Sequence, residues 1–210
     1  MSSLQGESLC LVESLRYEPG EGYFLLQRHL QRLERSAREL GFSYDVASTV
    51  FALREQEKTL GGLSKVRLQL SRSGAIVIET QTISEEVDGR FAVAAQPLMS
   101  SDWALSHKTT QRTIYDVAYK SVGRDVDDVI LWNERGELTE TCRGNLVVQD
   151  GDCWLTPPLS SGLLSGTFRA ELLSKGKIRE SLLYVKDLTR WQALYRINSV
   201  RLWTRINLVA

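Results

Sequence analysis

A chain of 210 residues can bury one large core or two smaller ones, and its 26 basic and 26 acidic residues cancel, so no net field draws it to nucleic acid or an anionic membrane. No apolar run approaches the roughly 20 residues a membrane helix needs, and the opening MSSLQGESLC lacks the basic start and apolar stretch of a secretory signal, which points to the cytoplasm. Cys10, Cys142 and Cys153 lack CxxC spacing, and His29 and His107 lie far apart in sequence, so neither a disulfide framework nor a zinc site is expected.

Residues 7–16 suit a strand, and the Pro-Gly-containing segment 18–22 turns the chain. Leu26, Leu30, Leu33, Ala37 and Leu40 then recur on one face of a helix that Gly41 is placed to end. A second helix fills 45–60, before Gly61 and Gly62. Residues 65–70 and 75–80 form a hairpin about Ser73 and Gly74. A strand at 91–95 gives way to an irregular stretch, 96–106, that contains Pro97.

Beyond it, 112–122 reads as a helix, 129–132 and 137–141 as strands joined by a turn at 133–136, and 145–148 and 153–156 as further strands. Residues 166–174 read as a helix with Gly176 at its stop, and 178–185 and 193–201 as strands. The expected organisation is α+β: a smaller N-terminal domain over 1–95, a connection over 96–106, and a C-terminal α+β domain over 107–210.

Four segments bear the chemistry: 107–118 (HKTTQRTIYDVA), 138–147 (LTETCRGNLV), 155–169 (LTPPLSSGLLSGTFR) and 28–37 (RHLQRLERSA). Together they resemble the class IV aminotransferases, the fold type IV pyridoxal-phosphate enzymes, and within them most closely the 4-amino-4-deoxychorismate lyases, which makes 107–210 the expected cofactor-binding domain. The resemblance runs from VESLR at 12–16 to NSVRLW at 198–203. It implies the two-domain fold of D-amino acid aminotransferase, with a shortened N-terminus, because few residues precede Val12.

By spacing alone Lys108 would be a surface lysine. The resemblance makes it the Schiff-base lysine, a primary amine that can add to an aldehyde, be displaced by a substrate amine and then move a proton. Glu140 matches the glutamate that pairs with the pyridine nitrogen, where a carboxylate favours the protonated ring. Glu140 and Cys142 also share one face of a strand. Gly166, Thr167 and Phe168 match the phosphate-binding turn at a helix start, where backbone amides and the helix dipole attract an anion and glycine allows close approach. Arg32 stands where the family's phosphate-binding arginine occurs in Arg-Leu-x-x-Ser-Ala; periodicity alone would leave it on a basic stripe with Arg28 and Arg35. Asn198 and Ser199 match an Asn-Ser pair near the phosphate, with a plain strand-end turn as the competing reading. His29 reads as a helix-packing residue, and His107 at most as a neighbour of Lys108.

The family's transaminases commonly carry tyrosine five residues after the lysine. Thr113 stands there, whereas Arg112 and Tyr115 fit the lyases' Lys-Thr-Thr-x-Arg-x-x-Tyr-Asp-x-Ala pattern. The resemblance therefore implies conversion of 4-amino-4-deoxychorismate to 4-aminobenzoate and pyruvate, a step toward folate, with Arg112 a candidate for a substrate carboxylate. It also implies a homodimer, with a separate aminodeoxychorismate synthase as a further candidate partner. Two readings stay open beside it: an aminotransferase acting on D- or branched-chain amino acids, and a non-catalytic relative.

Overall fold

The computed structural model describes residues 9–123 and 125–209, which fall into two compact units: one of residues 9–83 with 108–111, the other of 84–107 with 112–209. The first two residues of the strand expected over 7–16 lie outside the described residues, as does most of the N-terminal stretch read for a targeting signal.

The first unit places two helices on a small sheet. Strands β1 (Leu11–Glu18), β2 (Gly22–Tyr23), β3 (Ser64–Leu70) and β4 (Ile76–Thr82) run in the order β2-β1-β3-β4, each antiparallel to its neighbours. Helices α1 (Leu26–Leu40) and α2 (Val46–Glu57) sit between β2 and β3 in the chain. The apolar stripe read in the sequence buries Leu30, Leu33 and Ala37, and Leu33 and Ala37 pack with Leu11, Leu15, Tyr17, Leu53, Val66, Leu68 and Leu70. Burial of those methylenes is the main favourable term holding the unit together. Gly41 ends α1 at φ 69°, the left-handed conformation that costs glycine least. Asp45 caps α2 by accepting from Ser48 N at 2.8 Å.

The second unit is a larger sheet. It comprises β5 (Asp88–Val93), β6 (Asp128–Trp132), β7 (Leu138–Thr141), β8 (Gly144–Asp150), β9 (Cys153–Thr156), β10 (Arg179–Glu180), β11 (Ala193–Asn198) and β12 (Leu202–Leu208). The order is β10-β9-β8-β11-β12-β5-β6-β7, and a further β7–β8 pairing closes β8, β11, β12, β5, β6 and β7 into a ring. Helices α3 (Thr113–Val122) and α4 (Thr167–Ser174) complete the unit. One core gathers Phe91, Ile130, Leu138, Leu146, Val148, Leu194 and Ile206; another sets Val129, Leu131 and Cys142 against Tyr115 and Ala118 of α3. Val129 and Ile130 thus point to opposite faces, as alternation along a strand requires.

Three expectations need correction. The expected boundaries, 1–95, 96–106 and 107–210, differ from the observed division because β5 pairs in parallel with β6 and β12 and so belongs with the larger sheet, while 108–111 returns to the smaller one. The strand read over 193–201 stops at Asn198, whose Oδ1 accepts from Val200 N at 3.0 Å and Arg201 N at 2.7 Å; the chain reverses there and continues as β12, which the pattern did not disclose. The strand read over 178–185 shrinks to Arg179–Glu180, because the chain changes partner: Ser181 N bonds Thr156 O, while Leu183 O accepts from Leu138 N.

Candidate active site

In the first unit the chemistry gathers around β1. Leu11, Glu13, Leu15 and Tyr17 alternate onto the face that meets α1, so a carboxylate sits in an otherwise apolar row, 2 % exposed. An unpaired charge there would be costly, and α1 supplies the partners from successive turns. Arg32 Nε donates to Glu13 Oε1 at 2.9 Å and Arg32 Nη2 to Oε2 at 2.6 Å, while His29 Nδ1 lies 2.6 Å from Oε2. Burial raises the Glu13 carboxyl, but Arg32 and His29, through charge and hydrogen bonds, together outweigh it and hold the group at about 2. Burial depresses His29 despite Glu13, so a neutral ring with its proton on Nδ1 suits the ionised carboxylate.

Lys108 is tied to the same strand. Its carbonyl accepts from Val12 N at 2.8 Å, and Thr110 N donates to Cys10 O at 2.9 Å, so residues 108–110 lie along the edge of β1 away from β3. Thr110 Oγ1 accepts from Cys10 N at 3.0 Å. Two adjacent residues, Val12 and Glu13, thereby anchor the Lys108 backbone and the Arg32 side chain.

In the second unit a bulge aims the key carboxylate. Trp132 pairs with Leu138 and Ile130 with Thr141, so β7 carries one more residue than β6 between those pairs. Simple alternation from Leu138 would send Glu140 into the core of Leu146 and Val148; the extra residue turns it to the other face, beside its cross-strand partner Asn145. There Glu140 is 3 % exposed, accepts from Tyr115 Oη at 2.9 Å, and has Asn145 Nδ2 3.4 Å from its other oxygen. These donors suit a carboxylate. Burial, with Glu140 beside it, raises Tyr115 well above the usual phenol range, so it stays a donor. Cys142 shares the face as expected, its Sγ 3.7 Å from Tyr115 O.

Arg112 extends this group: its guanidinium lies 4.5 Å from the Tyr115 ring centroid, and Nη2 donates to Cys142 O at 2.7 Å. Gly166 is the N-cap of α4, with Thr167 and Phe168 buried in the first turn and no acidic residue there. Glycine has a further reason at this position: a Cβ at 166 would stand 1.9 Å from Asn145 Oδ1. Asn198 spends its carbonyl oxygen on the turn that places buried Ser199, and its Nδ2 donates to Arg143 O at 3.1 Å. His107 lies near Trp103, ring centroids 6.3 Å apart.

Sequence reasoning did not single out Glu13 or Asn145, and it used Tyr115 only as a pattern match. A charged residue in the apolar row of β1 was the readable signal for Glu13; nothing local marked Asn145. Taken unit by unit, the donor set fits pyridoxal phosphate: a primary amine on a strand edge, a buried guanidinium, a buried carboxylate held by a neutral hydroxyl, and a helix start without opposing charge.

This combination of fold and residues defines a fold type IV enzyme, and comparison with known proteins gives the family. The class IV aminotransferase model matches residues 10–209, and the chain belongs to that pyridoxal-phosphate-dependent family. A Schizosaccharomyces pombe protein named "Putative aminodeoxychorismate lyase" is 31% identical over 204 residues, covering 91% of this chain and 86% of the relative. A crystal structure of a "Putative amino-acid aminotransferase" from Mesorhizobium loti superposes with a TM-score of 0.90 at 33% identity, covering 96% of this chain and 100% of that one. A "Putative 4-amino-4-deoxychorismate lyase" from Legionella pneumophila shares the fold, with a TM-score of 0.84 at 20% identity over 95% of this chain and 82% of that one.

Proposed function

We propose that this enzyme converts 4-amino-4-deoxychorismate to 4-aminobenzoate and pyruvate, with Lys108 as the cofactor's covalent anchor, Glu140 at its pyridine nitrogen, and Arg32, the start of α4 and Ser199 at its phosphate. The observation that carries the reading is the Arg112–Tyr115–Glu140 arrangement: of the two residues that fit the lyase pattern, Tyr115 bonds the Glu140 carboxylate and Arg112 stacks on Tyr115. The 31% identity to the Schizosaccharomyces pombe protein supports the same choice.

Pyridoxal phosphate, when bound, supplies an electron sink for the pair left behind when a proton departs from the carbon bearing the substrate amine. Lys108 Nζ takes that proton. Glu140 keeps the ring nitrogen protonated, and Tyr115 holds Glu140 in place. Glu13 fixes the plane of Arg32, so the buried guanidinium would hold the phosphate without a search through rotamers. The ring C–O bond then breaks with its electron pair on the departing enolpyruvyl oxygen, the proton taken by Lys108 balances the protonation of that enolate to pyruvate, and the aromatic product left behind drives the reaction forward.

The similarity to the Mesorhizobium loti structure favours a second reading, amino-group exchange between amino and keto acids. The visible spectrum of the purified protein and of Lys108→Ala, followed by product analysis with aminodeoxychorismate, separates the possibilities. The expected result is a cofactor band that Lys108→Ala alters, with 4-aminobenzoate and pyruvate formed together. An unaltered band sinks the Lys108 assignment, and keto-acid exchange without 4-aminobenzoate sinks the lyase reading alone. No band at all points to a non-catalytic relative.

A further inference from the structure

Glu140 and Asn145 are direct cross-strand partners at the β7–β8 turn, and Asn145 is 4 % exposed. Its Nδ2 donates to Leu164 O at 2.8 Å and lies 3.4 Å from Glu140 Oε2, so one amide group faces both. Its Oδ1 fills the space beside Gly166, where an added Cβ would stand 1.9 Å from that oxygen and 3.1 Å from Cγ. The side chain therefore touches the carboxylate on one side and, on the other, the two chain positions that lead into α4. No other residue type reproduces this set. Aspartate would set an acceptor against the Leu164 carbonyl, and alanine would withdraw the donor from both oxygens.

We propose that Asn145 is a positioning residue that ties Glu140 to residues 164–168, so that the groups assigned to the cofactor's pyridine nitrogen and to its phosphate hold a fixed spacing. The inference rests on the assignment of pyridoxal phosphate to this chain. It also gives Gly166 a new reason: glycine is required so that the chain can pass close to Asn145. The two positions must then depend on one another, since residues in direct contact couple energetically whereas distant ones add.

The test is a double-mutant cycle read by pyridoxal-phosphate binding. Asn145→Ala, Gly166→Ala and the combined variant are titrated with the cofactor after its removal, and the pH titration of the visible band is recorded for each. Gly166→Ala is expected to raise the dissociation constant about tenfold or more, a difference of about 1.4 kcal/mol, because its methyl displaces Asn145. Asn145→Ala is expected to weaken binding about three- to tenfold and to shift the band's titration through Glu140. The combined variant should bind no worse than Asn145→Ala, because the colliding oxygen is gone.

Additive effects overturn the proposal. So does an Asn145→Ala protein that is merely less heat-stable, with cofactor affinity and band titration unchanged. Should Asn145→Ala fail to fold, Asn145→Asp keeps the size and must still weaken binding and shift the band; unchanged values overturn the link. A wild-type protein that takes up no pyridoxal phosphate overturns the underlying assignment together with the link, whereas normal wild-type binding with an additive cycle overturns the link alone.

Discussion

The hydroxyl of Tyr115 donates to Oε1 of Glu140 across 2.9 Å, both groups being buried. A hydrogen bond to a charged group contributes about 1.5–3 kcal/mol, and Tyr115→Phe removes it while keeping the ring beneath Arg112. The variant should lose stability of that order in denaturant unfolding. Turnover should fall while the KM for substrate stays nearly constant, because the hydroxyl acts on Glu140 rather than on substrate. A raised KM with unchanged turnover would assign Tyr115 to substrate binding instead.

Glu13→Gln removes the carboxylate that pairs with the buried Arg32 guanidinium. Breaking such a pair costs about 3–5 kcal/mol. The folded Glu13 carboxyl sits at about 2, below its ordinary 4.5, so its ionised form adds stability that is fully present above pH 4.5 and disappears as the pH falls from there toward 2. Urea unfolding of wild type and Glu13→Gln should therefore show a gap that is constant above pH 4.5 and narrows below it. A gap independent of pH would contradict the pairing.

Glu140→Gln keeps the shape of the side chain and can still accept from Tyr115 Oη, but it removes the charge. A neutral amide cannot hold a proton on a pyridine nitrogen. Turnover should drop on the order of 10²–10³-fold, the loss typical when one preorganised electrostatic partner is deleted, and the cofactor's visible band should shift. Near-normal turnover in the variant would remove Glu140 from the chemistry.

Arg112→Lys separates two roles. The guanidinium stacks on Tyr115 and bonds the Cys142 carbonyl, contacts that an ammonium reproduces poorly even though it preserves the charge. If support of Tyr115 is its main task, melting temperature falls and the substrate KM changes less than about threefold, under 1 kcal/mol. A tenfold rise in KM with unchanged stability would make it a substrate-carboxylate ligand.

Local rules made much of the fold legible. The stripe from Leu26 to Leu40, the stop at Gly41 and the alternation of β3 depend only on neighbours in sequence, and the structure reproduces them. What escaped was set by distant partners. The reversal at Asn198 hides β12 because Asn198, Ser199 and Val200 look like more strand; only the side-chain bond back to Val200 and Arg201 breaks it. The bulge in β7 is likewise invisible in Leu138-Thr139-Glu140, since it exists only in register with β6. Lys108, Glu140 and Gly166 could be picked out by resemblance, but the reason for glycine at 166 required knowing what faces it. Tyr115 and Asn145, each a long way along the chain from one of its contacts, had no local mark.

Strand β12 lies between β11 and β5, and its pairing with β5 joins residue 205 to residue 88. Closing that contact means drawing together chain ends more than a hundred residues apart before any ladder bond rewards it, and pairings of this span make folding slow. Until β12 docks, β5 and β11 each present an unpaired edge, the surface on which chains aggregate. The ring that carries Glu140 is thus expected to close late, and recovery from denaturant should depend on keeping the protein dilute while it does.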